Sequence, residues 1–243
     1  NNGPELPVWQ VITESSNLGT ARIAKMIGPE KQRKFLSSLG FTKPTSIEMI
    51  EASGGKPLLP KRWNELETMT ISYGHGLSAT PLHLATGYAA LANGGRLVKP
   101  TLLERKKFDL GPQVISKEVA ENSLAMLRGV VTEGTASLAD VNGYFVAGKT
   151  GTADKPSAQG GYDKEKNITN FASIFPTHEP KYVLVVTLDE AQDTSGPEPK
   201  RTAGWTAVPV SAEIIARVAP LLGLRPKFDK KTTVGVTLSN WQE

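Results

Sequence analysis

The fold of this chain is constrained most by the spacing of its apolar residues, which is helical in the first part and strand-like in the second. A helix is predicted from Asn17 to the Gly28-Pro29 pair, with one apolar face made of Leu18, Ala21, Ala24 and Ile27. Further along, residues 183–186 form an unbroken apolar run, which is typical of a strand covered on both faces. The pattern predicts helices packed around a sheet.

Proline, glycine and capping residues mark the remaining predicted elements. Further helices are expected from Pro29 to a stop at Gly40, at 81–93, after a cap at Ser116, and at 208–222. Strands are expected at 144–153, 169–175 and 182–188, with a mobile loop at 155–167. Residues 42–66 are rich in proline and glycine and predict an irregular segment. Residues 232–238 could add an edge strand or remain disordered.

Composition narrows the class of protein. The 243 residues are 39% hydrophobic and 21% charged, which describes a globular protein of one large or two small domains. The chain has no cysteine, so a disulfide framework and a thiolate nucleophile are excluded. The net charge of +4 comes from scattered lysines and arginines, which does not predict nucleic-acid binding. The three histidines lack the spacing of a metal site.

Lys149, Thr150, Gly151 and Thr152 carry the first candidate for chemistry, directly after the apolar and aromatic run that begins at Tyr144. Gly151 leaves the backbone bare where a bound peptide would lie against it. Lys149 supplies a point charge and the two threonines supply short donors. These groups suit holding a carboxylate and an acyl oxygen beside a nucleophile, although a strand end with a solvated lysine would look the same.

The second candidate is the Ser-x-Asn element made by Ser15 and Asn17. Serine and asparagine are also preferred helix caps, so a structural role is the alternative. Both roles are compatible, because a cap places hydroxyl and amide groups at an exposed helix end that can face a cleft.

These two elements and four longer stretches resemble the class B penicillin-binding proteins, the monofunctional transpeptidases that cross-link bacterial peptidoglycan. The longer stretches are 60–81, 89–95, 130–136 and 170–176, and the similarity extends from about residue 8 to residue 224. The chain is most similar to the septal, cell-division type. The resemblance implies an α/β (α+β) fold of the β-lactamase/transpeptidase type, with a mainly antiparallel sheet flanked by helices.

One element of the family is missing from the sequence. Its members attack with the serine of a Ser-x-x-Lys element that precedes Ser-x-Asn, and none precedes Ser15 here. The literal match from Ser53 to Lys56 comes too late in the chain, and its paired glycines oppose the helical turn that the element needs. We therefore expect a transpeptidase domain over 1–224, incomplete on its N-terminal side, and an extension over 225–243. Without a central helix and two strands, the isolated chain is expected to be unstable and inactive.

The resemblance also implies roles for the residues that match its motifs. Ser15 would relay a proton to the leaving amine, and Asn17 would bind the substrate amide. Lys149 would help to hold the substrate's terminal carboxylate, with Thr150 and Thr152 as donors beside Gly151. The N–H group of Thr152 would form half of an oxyanion hole.

The implied substrate is a peptidoglycan stem peptide ending in D-Ala-D-Ala, and β-lactam antibiotics would mimic it. The missing part of the same domain and division proteins are further expected partners, and no cofactor or metal is implied. The expected location is the periplasmic face of the bacterial inner membrane, with the anchor outside this sequence. A serine β-lactamase-like hydrolase and a non-catalytic peptidoglycan- or divisome-binding module remain alternatives.

Overall fold

The computed structural model describes residues 5–105, 111–157 and 160–228. Its helices are α1 (Val8–Thr13), α2 (Asn17–Ile27), α3 (Pro29–Ser38), α4 (Glu65–Ser72), α5 (Pro81–Ala92), α6 (Lys117–Thr132) and α7 (Ala207–Leu221). Its strands are β1 (Ala147–Pro156), β2 (Tyr162–Phe175) and β3 (Tyr182–Asp189), and short 3-10 turns lie at Ile50–Gly54 and Ser137–Ala139. Within these ranges no helix is both long and apolar enough to cross a bilayer.

The three strands form one antiparallel sheet in the order β1-β2-β3. The central strand β2 is the most deeply buried, and its Phe171 and Ile174 have no exposed surface. Phe171 belongs to a core cluster that also contains Val131 of α6 and Ile215 of α7. The predicted antiparallel sheet flanked by helices is therefore confirmed.

The predicted helices lie close to their expected positions because local signals fix their ends. The side chain of Thr80 accepts a hydrogen bond from the N–H of His83 at the start of α5, and that of Ser116 accepts one from Val119 at the start of α6. Gly28, with φ of +83°, separates α2 from α3. Each of these contacts joins residues that are close in sequence, which explains why the pattern alone located the helices.

Two helices were not predicted. The start of α4 carries a capping box, in which Asn64 and Glu67 each bond to the other's backbone N–H, so the signal was present in the segment predicted to be irregular. The other, α1, has only six residues and no side-chain cap, and helical periodicity is not visible over so short a length.

The mobile loop expected at 155–167 is wrong over most of its length. β1 extends to Pro156 and β2 begins at Tyr162, so the two strands continue as a hairpin past an irregularity at Asp154 and Lys155. Lys155 forms ion pairs with Asp189 and Glu190 at the end of β3, which tie this extension to the sheet.

The strands differ from expectation in two further respects. β1 begins at Ala147 rather than at residue 144, because Phe145 has a φ of +45° that a strand cannot accommodate. β3 lies at one edge of the sheet, where Val186 is buried and residues 183–185 are only half-buried. The predicted strand at 232–238 lies outside the described residues, and the boundary after residue 224 remains a prediction.

Arg128 of α6 anchors the chain where it enters β1. Its guanidinium donates a 2.8 Å hydrogen bond to the carbonyl oxygen of Val146 and another of 2.8 Å to Asp140. It also lies 5.7 Å from the centre of the Phe145 ring. Val146 is fully buried, so Arg128 is the group that satisfies its carbonyl oxygen just before the Lys149 motif.

We expect Arg128→Met to lower the free energy of unfolding by about 1–3 kcal/mol, because it leaves the buried Val146 carbonyl without a donor. Arg217→Met is the matched control, since among the described residues Arg217 forms an exposed ion pair with Glu213 within α7, and its loss should cost about 0.5 kcal/mol or less. Urea unfolding measures both variants. Equal losses would contradict the anchoring role of Arg128.

Candidate active site

The helical part and the sheet meet where the edge of β1 faces the junction of α1 and α2. At this junction the ammonium of Lys149 donates a 2.8 Å hydrogen bond to the hydroxyl of Ser15, a residue 134 positions earlier in the chain. The two motifs identified in the sequence are therefore brought into direct contact.

Ser15 is held in a backbone conformation that serine rarely adopts. The Ser15 N–H donates a hydrogen bond to the carbonyl oxygen of Ile12, and the Ser16 N–H donates one to that of Val11. This pair of hydrogen bonds is the Schellman motif that ends many helices. The residue at the Ser15 position of that motif is usually glycine, and Ser15 has a φ of +57°. The fold therefore tolerates a strained residue at the position where a hydroxyl group contacts Lys149.

The capping role and the cleft-facing role fall on different residues of the Ser-x-Asn element. Ser16 caps α2, since its hydroxyl accepts a 3.2 Å hydrogen bond from the N–H of Gly19. Asn17 is the first residue of α2 and lines the cleft together with Ser15. The cap therefore lies on the residue between Ser15 and Asn17, and the roles of Ser15 and Asn17 in chemistry stay predictions.

Lys149 is partly buried where it lines the first cavity. Its ammonium bonds to Ser15 and, at 3.2 Å and 3.3 Å, to the carbonyl and hydroxyl oxygens of Thr150. Burial lowers the pKa of Lys149 from 10.5 to about 8, because the charged form loses solvation. The folded state therefore binds the Lys149 proton more weakly than the unfolded chain does. Below pH 8 the charged ammonium lowers the free energy of unfolding, and this loss disappears as the pH rises towards 10.5.

The two threonines of the motif are held by the chain segments around β1. The hydroxyl of Thr150 lies 2.8 Å from that of Thr135, in the segment that follows α6. The hydroxyl of Thr152 accepts a 3.0 Å hydrogen bond from the N–H of Ala203, in the segment before α7. Because Thr152 accepts this bond with a lone pair, the hydroxyl proton of Thr152 remains available to donate to a ligand.

Gly151 is not required by packing within the described residues. A Cβ atom at this position would meet only Asn170, at an ordinary distance of 3.8 Å, and its φ lies outside the left-handed region. The missing side chain instead leaves open the part of β1 that lines the cleft.

Two adjoining cavities share the wall formed by Ser15, Asn17 and the Thr150-Gly151-Thr152 segment. The first, of about 520 Å³, also contains Lys149 and runs inward between apolar side chains that include Leu36, Phe41, Leu84 and Leu127. The second, of about 600 Å³, opens between β1 and a rim of Tyr73, His75, Thr135 and Trp205.

The structure adds three residues to the cleft that were not predicted as site residues. Thr135 belongs to the stretch 130–136 that matched the family pattern, and this was the only signal for it. His75 lies between Gly74 and Gly76, both of which have positive φ, and it also lines the second cavity. Trp205 is 45% exposed and lines the same cavity.

The Ser53 to Lys56 match does not contribute to this cleft. Ser53 lies in the 3-10 turn Ile50–Gly54, where its hydroxyl bonds to the carbonyl oxygen of Ile50. Ser53 and Lys56 are exposed, and neither lines one of the two cavities. This geometry agrees with the rejection of the match.

Comparison with known proteins gives one consistent family. Residues 2–215 match the penicillin binding protein transpeptidase domain. The chain belongs to this transpeptidase family. It is 33% identical over 238 residues to the probable peptidoglycan D,D-transpeptidase FtsI of Caulobacter vibrioides, covering 93% of this chain and 40% of that protein. It is 31% identical to stage V sporulation protein D of Bacillus subtilis, covering 90% of this chain and 35% of that one.

Solved transpeptidases share the fold. The apo transpeptidase domain of penicillin-binding protein 3 from Burkholderia pseudomallei superimposes with a TM-score of 0.83 at 33% identity, over 92% of this chain and 67% of that one. Penicillin-binding protein 3 of Mycobacterium tuberculosis, solved with aztreonam, gives 0.79 at 27% identity, over 90% and 52%. The chain thus spans 40% and 35% of the length of the two curated relatives described above.

The conformation of Ser15 makes a prediction for stability. We expect Ser15→Gly to be more stable than Ser15→Ala by about 1 kcal/mol, because both remove the hydroxyl but only glycine relieves the left-handed backbone. Chemical unfolding of the two variants at one pH measures the difference. Equal stabilities would show that the backbone at Ser15 carries no strain.

Proposed function

We propose that this chain is the part of a septal-type peptidoglycan D,D-transpeptidase that binds the D-Ala-D-Ala end of a stem peptide. The reaction is acyl transfer through a serine ester. The observation that carries the proposal is the 2.8 Å contact between Lys149 and Ser15, which joins two motifs of the family in one cleft.

The nucleophile in this proposal is the serine of a Ser-x-x-Lys element outside residues 1–243. Its oxygen attacks the carbonyl of the penultimate D-alanine, and its proton passes to the lysine of that element. The C–N bond then breaks, and Ser15 relays a proton to the leaving amine of the terminal D-alanine. The amine of a second stem peptide attacks the ester, which forms the cross-link and releases the serine.

The apolar cavity supports this placement of the missing element. It begins at Ser15, Asn17 and Lys149 and continues between Leu36, Phe41 and other apolar side chains, which are suited to covering a helix. A helix packed against this lining would lie next to Ser15, Asn17 and Lys149, which belong to the same cavity wall. The proposal also explains the apolar lining, which a water-filled catalytic cleft does not need.

The edge of β1 provides the groups that hold the substrate. The charge of Lys149 attracts the terminal carboxylate, and the hydroxyls of Thr150 and Thr152, which line the same cavity as Lys149, are donors. Gly151, which the protein's own packing does not require, allows the peptide to approach the strand. The N–H group of Thr152 supplies half of the oxyanion hole, and losing one such donor costs about 10²–10³ in rate.

The partners of the intact protein follow from this reaction. We expect it to bind β-lactams as mimics of the dipeptide end and to act on the periplasmic face of the inner membrane, with other division proteins. Two relatives are named for peptidoglycan D,D-transpeptidation and for sporulation, and the Mycobacterium tuberculosis protein was solved with β-lactams, which supports this assignment.

Fluorescent penicillin tests the function directly. The intact protein, with its Ser-x-x-Lys element, is expected to become covalently labelled and to keep the label, whereas residues 1–243 alone are not. Ser15→Ala should slow labelling by about 10²-fold or more through loss of the proton relay. Ser16→Ala is the matched control, because Ser16 only caps α2 and its loss should affect stability instead.

Each alternative function has its own outcome in this experiment. Rapid release of the label would favour a β-lactamase-like hydrolase. Stem-peptide binding without any labelling of the intact protein would favour a binding module. Loss of labelling in Ser53→Ala would overturn the placement of the nucleophile outside residues 1–243.

The lowered pKa of Lys149 predicts a pH dependence. Because the ammonium loses its proton near pH 8, the rate of penicillin acylation should fall as the pH rises from 7.5 to 9.5. Lys149→Arg keeps its charge throughout this range, so its profile should lack the fall even if its overall rate is lower. A stopped-flow pH profile measures both, and an unchanged fall in the arginine variant would contradict the role of the charge.

A further inference from the structure

A hydroxyl pair beside the cleft joins Thr150 of β1 to Thr135, 15 residues earlier. The two oxygens lie 2.8 Å apart, and either one can be the donor. Thr135 lines the second cavity with Ser15 and Thr152. The proposed reaction assigns no role to Thr135.

The backbone around Thr135 is fixed by close contacts on both sides. A Cβ atom on Gly134 would lie 2.4 Å from the carbonyl oxygen of Thr13 at the end of α1. A Cβ atom on Gly204 would lie 2.9 Å from the carbonyl oxygen of Thr135 itself. The N–H of Ala136 bonds to Val130 at 3.1 Å. Thr135 is therefore held against β1 by the same segments that carry Ser15 and line the cleft.

The direction of the hydroxyl pair follows from counting donors. A hydroxyl group has one proton and two lone pairs, and one lone pair of Thr150 already accepts from Lys149 at 3.3 Å. If Thr135 donates, both lone pairs of Thr150 are used and its proton is free to point into the cleft. If Thr150 donates instead, it has no proton left for a ligand.

An anionic ligand favours the first arrangement. A carboxylate only accepts hydrogen bonds, so it draws the Thr150 proton towards itself, and Thr135 completes a chain of donors that strengthen one another. Among the residues that line the second cavity in the described part of the chain, none is acidic. A carboxylate that accepts from Thr150 lies beside Lys149, whose ammonium is 3.3 Å from the Thr150 hydroxyl, and it meets no like charge among these lining residues.

We infer that Thr135 is a positioning residue that turns the hydroxyl proton of Thr150 towards the ligand, and so makes the site select a free carboxylate over an uncharged end group. This role rests on the proposed acyl transfer, because it concerns the ligand of that same site. Thr135 acts only through Thr150 and touches no reacting atom.

The test compares benzylpenicillin with its methyl ester on the intact protein, with acylation followed by intact mass. The wild type is expected to react faster with the free acid than with the ester. In Thr135→Val the ratio of these two rates should fall about tenfold, which is the usual effect of one hydrogen bond to a charged group. Thr135→Ser keeps the hydroxyl and should keep the preference. Ser137→Ala is the matched control, since Ser137 lines the same cavity but is not a member of the hydroxyl pair.

The ratio of the two rates comes from a single sample, so partial unfolding of a variant does not change it. Thr150→Val should lose the same preference, and adding Thr135→Val to it should cause no further loss, since one residue acts through the other. A full preference in Thr135→Val would overturn the inference and leave the proposed function intact. Absence of acylation by both compounds in the wild type would overturn the proposed function and the inference with it.

Discussion

The hydrogen bond between Lys149 and Ser15 is the contact on which the site depends. It connects the α1–α2 junction with β1; Ser15 lines both cavities and Lys149 lines the first. Two features of this contact lower the stability of the folded state, namely the strained backbone of Ser15 and the desolvated charge of Lys149. Such costs are typical of active sites, where residue positions follow the chemistry rather than stability.

The surrounding structure fixes this contact by packing and by backbone bonds. Arg128 anchors the entry to β1, and the buried strand β2 keeps the sheet in register. The tight contact between Gly134 and Thr13 joins the end of α1 to the segment that carries Thr135. The helical part and the sheet therefore meet at a defined distance, which a cleft built from both requires.

The sequence predicted most elements but missed those with weak or distant signals. Helices with proline, glycine or serine at their ends were located from those residues, whereas the capping box at Asn64 was overlooked within a proline-rich segment. The hairpin beyond Lys155 was mistaken for a loop, because its ion pairs with Asp189 and Glu190 join residues far apart in sequence. Polar, glycine-containing strands carry little local periodicity.

The sequence by itself determined the family, the approximate ends of five of the seven described helices and the types of chemical group at positions 15, 17 and 149–152. These follow from local patterns and from motif order. Only the tertiary structure decided which groups touch, that Ser16 is the cap while Ser15 meets Lys149, and that Thr135 meets Thr150. Contacts between residues as far as 134 positions apart depend on how helices and sheet pack, and no local pattern records that packing.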